Sequence, residues 1–219
     1  MPLALFDLDN TLADRATAFD KWTEIFVARF ALGREAIPWL LGIDGDGITP
    51  RCVLLRGAIE EFDLNVTVDE LVEWYAESYI PCFERETQSI NAVLRLKDAG
   101  WKVAVVTNGP TEQQLAKLRQ TGLDNVVDAV CVSEALGVSK PEAGIFREAA
   151  RRCDSELEGW MVGDSPSADI DGAARCGLHT IWLSRRRAWP STTSPPDVTV
   201  ASVSDAATFL LSPEAALFS

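Results

Sequence analysis

The sequence predicts an α/β protein: a doubly wound parallel sheet with a block of helices inserted after the first strand. Short apolar runs of strand length alternate with single helical segments over residues 89–183. Strands separated by single helices pair in parallel through right-handed crossovers. Residues 14–88 instead carry apolar residues at helical spacing and need no strand. We therefore expect a core made of 1–13 and 89–219, with a separate helical domain at 14–88.

The first predicted strand is the apolar run Leu3–Phe6, which suits a strand covered on both faces because it has no polar side. Two carboxylates, Asp7 and Asp9, follow it at once. Ligands of open α/β sheets bind at the carboxyl ends of the strands, so this acidic pair lies where chemistry is expected. The pair is equally typical of a solvated turn in which Asp and Asn bond to backbone groups.

The inserted block shows helical spacing throughout. Apolar residues recur every three or four positions in 15–31, and 52–62 and 68–79 are predicted helices, the last with Thr67 as its N-cap. Its aromatic residues either form a wall that stacks on a base or belong to a buried core; they are Phe19, Trp22, Phe26 and Trp39. Arg51 is either a contact to a second anionic group or an exposed loop residue.

Strand and helix patterns alternate through the rest of the core. The further predicted strands, the last of them a short edge strand, are 102–107, 128–132, 158–162, 179–183 and 198–200. The predicted helices are 89–99, 111–121, 143–153, 170–176 and 205–211. Gly100 and Gly122 follow two of these helices and act as their stops. The segment 185–197, rich in Pro, Ser and Thr, is a predicted surface loop.

Polar residues cluster where the predicted strands end. Thr107 and Asn108 close the second strand, Lys140 follows the third, and Asp164 follows the fourth. Each cluster alone is typical of a turn or a helix start, but parallel strands bring all these ends to one edge. Carboxylates suit Mg²⁺, while a hydroxyl, an amide and an ammonium suit phosphate oxygens. Gly109 lets the backbone approach such an anion closely.

These four clusters resemble the four motifs of the haloacid dehalogenase superfamily of phosphohydrolases. The matching segments are 7–12, 106–109, 140–141 and 163–169. The resemblance implies a Rossmann-like core and a small helical cap, whose closing excludes water and selects substrate. It also implies Mg²⁺-dependent hydrolysis of a phosphomonoester through an aspartyl phosphate, with a small phosphorylated metabolite as the partner.

The resemblance further implies a role for each motif residue. Asp7 would be the nucleophile, and Asp9 would protonate the leaving alcohol and then activate water, while its backbone carbonyl helps hold Mg²⁺. Lys140 would bridge the nucleophile and the phosphate. The phosphoryl group would be bound by Thr107, Asn108 and Gly109. Asp164 would be the acidic metal ligand and Asp169 a supporting or direct one.

The acid at position 9 favours a phosphatase, because true haloacid dehalogenases and phosphonoacetaldehyde hydrolases lack it. Phosphoglucomutases keep both acids and remain an alternative. The segments 107–112, 119–123 and 133–138 look most like the branch that contains pyrimidine 5′-nucleotidases and phosphoglycolate-type phosphatases. We therefore expect a nucleoside monophosphate or phosphoglycolate as substrate. A non-catalytic phosphate-binding or regulatory module is the alternative from another class.

Composition limits the partners and the compartment. The chain has 20 basic and 33 acidic residues and a net charge of −13, which disfavours binding to a nucleic acid polymer. An odd set of five dispersed cysteines predicts reduced thiols. Because no basic and then apolar leader opens the chain, and no long apolar run follows, we expect a cytoplasmic protein without a membrane span. Either a monomer or a homodimer fits these features.

Overall fold

A computed structural model describes residues 1–190 and 194–218 of the chain, so part of the predicted surface loop lies outside the described residues. The chain divides into two compact units. One unit contains Met1–Ala13 and the chain from Arg85 onward, and the other contains Asp14–Glu84. No helix in the described segments combines the length and the apolar character that crossing a bilayer requires.

The first unit is built on a parallel sheet of six strands within the described residues. The strands are β1 Leu3–Phe6, β2 Lys102–Thr107, β3 Ala129–Val132, β4 Gly159–Gly163, β5 His179–Leu183 and β6 Val198–Val200. Their order across the sheet is β3-β2-β1-β4-β5-β6, and every neighbouring pair is parallel. The predicted α/β class with a doubly wound parallel sheet is therefore confirmed.

β1 lies at the centre of this sheet, at the point where the connections change direction. It pairs with β2 on one side and β4 on the other, with Phe6 opposite Val105 and Val162. All four β1 residues are fully buried, as the apolar run predicts. The Asp7 backbone N–H donates to the Val162 carbonyl at 2.9 Å. Ligands of doubly wound sheets bind at such a switch point, so the residues after β1 stand in the crevice.

The second unit is helical. Its helices are α1 Arg15–Arg29, α2 Ala36–Asp44, α3 Arg51–Glu61 and α4 Val68–Tyr79. Thr67 caps α4 as predicted, because its hydroxyl accepts a hydrogen bond from the Glu70 backbone N–H. Arg51 is not a loop residue: it begins α3, and its guanidinium carbon lies 3.7 Å from the Tyr75 ring centroid. An Arg over an aromatic face gains a cation–π attraction.

The aromatic residues of this unit form its core. Trp22 is fully buried, its ring centroid lies 4.8 Å from that of Tyr75 and 5.2 Å from that of Phe26, and its indole N–H donates to Ser78 Oγ at 2.9 Å. Phe19 and Phe26 are buried as well, whereas Trp39 is half-buried. The buried-core alternative therefore holds for three of the four candidate residues.

Replacing Trp22 with alanine is expected to lower the free energy of unfolding by about 3–5 kcal/mol, the usual effect of removing a large buried aromatic side chain. The matched control is Val53→Ala on α3, a residue that is 49% exposed, where we expect a change within about 0.5 kcal/mol. Urea unfolding of both variants measures the difference. Equal midpoints would show that Trp22 is not a core residue.

Helices cover the sheet of the first unit. They are α5 Thr87–Asp98, α6 Thr111–Thr121, α7 Ser133–Leu136, α8 Ala143–Arg152, α9 Gly172–Ala174 and α10 Val203–Leu210. α8 packs its buried Phe146 into a core that also contains Leu5. Two elements differ from expectation. The structure contains α7, where no helix was predicted. In place of the predicted helix at 170–176 it has a π-helical turn, Pro166–Asp171, that leads into α9.

Candidate active site

Three carboxylates meet at the carboxyl edge of the sheet. Asp7 follows β1, whereas Asp164 and Asp169 follow β4, and one oxygen from each lies within 4.8 Å of the others. All three residues are buried. The Lys140 ammonium joins them, at 2.5 Å from Asp7 Oδ1 and 2.7 Å from Asp169 Oδ1. Residues separated by more than a hundred positions in the chain thus form one buried charged cluster.

Burial dominates the electrostatics of this cluster. Loss of solvation raises the pKa of Asp7 to about 8, the Lys140 charge opposes that shift, and the carboxylates of Asp169 and Asp164 add to it. The pKa of Asp164 is also raised, chiefly by burial and then by Asp169. Burial lowers the pKa of Lys140, but its two carboxylate neighbours outweigh this and raise it well above its usual value. The positive charge of Lys140 therefore does not fully compensate for the desolvation of the buried carboxylates and their mutual repulsion.

The acidic cluster fits a small divalent cation. The pKa values of Asp7 and Asp164 stay raised although an ammonium is already in place, so further positive charge would stabilise their ionised forms. The converging donors are oxygens only, which are the ligands that Mg²⁺ prefers. Asp7, Asp164 and Asp169 are thus the side chains that could hold such an ion.

Asn108 positions the Lys140 backbone. Its side-chain amide donates to the Lys140 carbonyl at 2.9 Å, and its Oδ1 accepts from the Lys140 N–H at 2.8 Å. The peptide bond between Lys140 and Pro141 is cis. This reciprocal pair ties the loop after α7 to the end of β2. The contact of Asn108 with a phosphoryl group stays a prediction, since its amide bonds to the lysine backbone here.

The Asp9 side chain has different neighbours from Asp7. Both of its oxygens lie 2.7 Å from Lys117 Nζ, and Oδ2 also accepts from Gln114 Nε2 at 2.9 Å. The same Gln114 nitrogen donates to Thr107 Oγ1 at 2.5 Å. Gln114 and Lys117 both belong to α6 and are almost completely buried. The Asp9 carboxylate is not in the acid cluster found among the described residues.

Asp164 is oriented by the segment that follows β5. Arg185 Nη1 and Arg187 Nη2 lie 3.2 Å and 2.9 Å from Asp164 Oδ2, and both charges work against its raised pKa. The Trp182 indole N–H donates to the Asp164 carbonyl at 3.0 Å. These arginines begin the predicted surface loop, so the start of that loop is part of the site.

Gly109 has a backbone conformation that favours glycine, while its predicted contact with an anion stays a prediction. Its φ is +141°, a conformation that side-chain-bearing residues rarely adopt, and its N–H donates to Ser133 Oγ at 3.0 Å. A Cβ at this position would lie 3.2 Å from the Gln114 side chain. A larger residue would therefore press on the glutamine that contacts Asp9.

The expected site residues lie at one sheet edge, but in two groups. Asp7, Asp164 and Asp169 form the acid cluster, and the Lys140 ammonium contacts two of them. Thr107 and Asp9 are linked through Gln114 instead. The residues that the sequence did not single out are Gln114, Lys117, Arg185 and Arg187. The sequence does contain a signal for Gln114 and Lys117: they are polar residues three positions apart on one face of the helix after β2.

Comparison with known proteins agrees with this geometry. A family model described as haloacid dehalogenase-like hydrolase matches residues 1–177. The chain belongs to this family. The haloacid dehalogenase-like chain is 31% identical over 198 residues to ribulose-1,5-bisphosphate 5-phosphatase of Halopiger xanaduensis. The aligned region covers 81% of this chain and 82% of that protein.

Two further relatives carry phosphatase or nucleotidase names. The pyrimidine 5′-nucleotidase YjjG of Escherichia coli is 37% identical over 84 residues, covering 37% of each chain. The crystal structure of a HAD phosphatase from Thermococcus onnurineus is similar with a TM-score of 0.66 and 26% identity, covering 96% of this chain and 98% of that one. The expectation of an enzyme of the haloacid dehalogenase-like phosphatase class is confirmed.

Proposed function

We propose that this protein is a Mg²⁺-dependent phosphomonoester hydrolase that acts through an aspartyl phosphate on Asp7. The observation that carries the proposal is the arrangement of that carboxylate. Asp7 is buried at the switch point of the sheet, lies 2.5 Å from the Lys140 ammonium, and shares an acid cluster with Asp164 and Asp169. A nucleophilic carboxylate beside a fixed cation and a metal-binding acid pair is suited to phosphoryl transfer.

The reaction has two steps. An Asp7 oxygen attacks phosphorus, the bond from phosphorus to the ester oxygen breaks, and Asp9 gives its proton to the leaving alcohol. Asp9 then takes a proton from water, whose oxygen attacks phosphorus, and the bond to Asp7 breaks to release inorganic phosphate. Lys140 neutralises charge on the transferred group, and Thr107 donates to its oxygens. When bound by the acid cluster, Mg²⁺ supplies further charge neutralisation and orients the phosphoryl oxygens.

A small phosphorylated metabolite is the proposed substrate class. The named relatives act on a sugar bisphosphate and on a pyrimidine nucleotide, both of which are phosphate esters of a pentose. Nucleoside monophosphates, pentose phosphates and phosphoglycolate are therefore the compounds to compare. The strongly acidic chain, with a net charge of −13, gives no general attraction for larger polyanions.

We expect the purified protein to hydrolyse 4-nitrophenyl phosphate when Mg²⁺ is present. Activity should disappear when EDTA removes divalent cations and return when Mg²⁺ is added in excess, because the acid cluster needs positive charge to bind a phosphoryl group. Release of 4-nitrophenolate measures the rate. A panel of phosphorylated metabolites, assayed at low concentration, then ranks the substrates by kcat/KM.

The same assays separate the alternatives. A phosphoglucomutase would isomerise a hexose 1-phosphate without releasing inorganic phosphate in proportion. A non-catalytic phosphate-binding module would bind phosphate, yet it would turn over none of the panel. Full activity in EDTA would contradict the metal requirement.

A further inference from the structure

α6 begins directly after the second strand-end cluster and carries two buried polar side chains on one face. Gln114 is 1% exposed and Lys117 is 4% exposed. Helical side chains lean toward the helix N-terminus, which for α6 is the end nearest the carboxyl edge of the sheet. A long side chain in the second turn therefore reaches that edge. A buried ammonium needs a charged partner, and Asp9 is the partner found.

The contact of Lys117 with Asp9 restricts rotation of the carboxylate. The ammonium lies 2.7 Å from both carboxylate oxygens, and Gln114 adds a hydrogen bond to Oδ2 at 2.9 Å. A carboxylate held at both oxygens cannot turn freely about its Cβ–Cγ bond. Asp9 keeps 23% of its side chain exposed, so it stays open to solvent and ligand while held.

Gln114 also links this carboxylate to a second residue of the site. Its amide nitrogen donates at once to Asp9 and to Thr107 Oγ1, the latter at 2.5 Å. The two contacts fix the acid in relation to the hydroxyl at the end of β2. They also keep the Asp9 carboxylate outside the group formed by Asp7, Asp164 and Asp169 in the described chain.

We propose that Lys117 and Gln114 are positioning residues that hold the Asp9 carboxylate beside Thr107, which keeps it out of the acid cluster and in place for proton transfer to the leaving alcohol. This inference rests on the proposed function. Positioning of this kind acts on the step in which the leaving group departs, because misplacement of a catalytic group by about 1 Å lowers rates up to about 100-fold.

The test replaces Lys117 with methionine, which keeps the length of the side chain and removes its charge. Two substrates are compared by kcat/KM, which reports the steps up to departure of the alcohol. An alkyl phosphate needs a proton on its leaving group, whereas 2,4-dinitrophenyl phosphate does not. For Lys117→Met we expect a loss of about 10-fold or more with the alkyl phosphate and a change within about twofold with the dinitrophenyl ester.

Three variants complete the comparison. Asp9→Asn should show the same selectivity at larger magnitude, since it removes the acid itself. Lys117→Arg keeps the charge and should recover part of the alkyl phosphate activity. Lys97→Met is the matched control, because Lys97 pairs with Asp128 at 3.2 Å outside the site; both substrates should retain their wild-type rates.

Each outcome decides the inference. A selective loss with the alkyl phosphate supports it. An equal loss with both substrates shows that Lys117 has only a structural role, and unchanged rates show that Asp9 needs no positioning; either result overturns it. If the wild-type protein hydrolyses neither ester, the proposed function itself is overturned. If the wild type is active and only the Lys117→Met result differs from expectation, the positioning role alone is overturned.

Discussion

Asp7→Asn is expected to abolish hydrolysis of 4-nitrophenyl phosphate, with a fall in kcat of about four orders of magnitude or more, because the amide oxygen is a far weaker nucleophile than a carboxylate. Asparagine has nearly the same shape as aspartate and still offers an oxygen to Lys140. The fold should therefore persist. Release of 4-nitrophenolate under saturating Mg²⁺ measures the effect, and circular dichroism checks the fold.

Asp128→Asn is a suitable control for this experiment. Asp128 also lies beside the sheet, but its Oδ2 accepts from the Val103 N–H at the start of the strands, away from the acid cluster. The Asp128→Asn variant should keep kcat within about twofold of the wild type, because Asp128 contacts no reacting group. Retained turnover in Asp7→Asn would remove Asp7 as the nucleophile.

Lys140→Ala is expected to have the second-largest effect, on activity and on stability together. The side chain is 3% exposed and contacts the carboxylates of Asp7 and Asp169. Its loss removes the fixed cation that would neutralise the transferred phosphoryl group, which should lower kcat about 100- to 1,000-fold. It also leaves buried acids without their ammonium, which should lower the free energy of unfolding by about 3–5 kcal/mol.

Lys102→Ala is the matched control for Lys140→Ala. Its ammonium is 3.9 Å from Asp128, and 30% of its side chain is exposed. A partly exposed pair contributes at most about 1 kcal/mol, and it lies far from the chemistry. Urea unfolding and 4-nitrophenyl phosphate hydrolysis are measured for both variants. Equal effects of the two substitutions would show that Lys140 has no special place in the site.

Added Mg²⁺ separates the two roles of Lys140. A divalent cation in the acid cluster supplies the positive charge that the Lys140→Ala variant lacks, so the ion should restore part of its stability by binding the folded state. It should not restore kcat, because the ammonium next to Asp7 is still missing. Recovery of both quantities would assign Lys140 a purely charge-balancing role.

Local patterns predicted most of the secondary structure. β2, α6 and β5 have the predicted bounds, since a short apolar run or a helical period is visible within a few residues. α7 and the π-helical turn after β4 were not predicted. The π-helical turn is shaped by side-chain bonds such as that from the Ser165 N–H to Asp169 Oδ2, which sequence periodicity does not encode.

The candidate site was predictable in part for the same reason. Acids and polar residues directly after buried strands are visible in the sequence, and parallel pairing brings strand ends to one edge. Their partners were not visible. Lys117 is 108 positions from Asp9, and the arginines that orient Asp164 begin a segment whose composition indicates only a surface loop.

The sequence by itself determined the class of the sheet, the positions of the acids and the identity of the family motifs, because each depends on neighbouring residues or on the connectivity of the chain. Only the tertiary structure decided the strand order, which puts β1 between β2 and β4. It also decided which cation meets which acid. Such pairs form where distant segments pack together and bury their charges, and in that environment each carboxylate needs a specific neighbour.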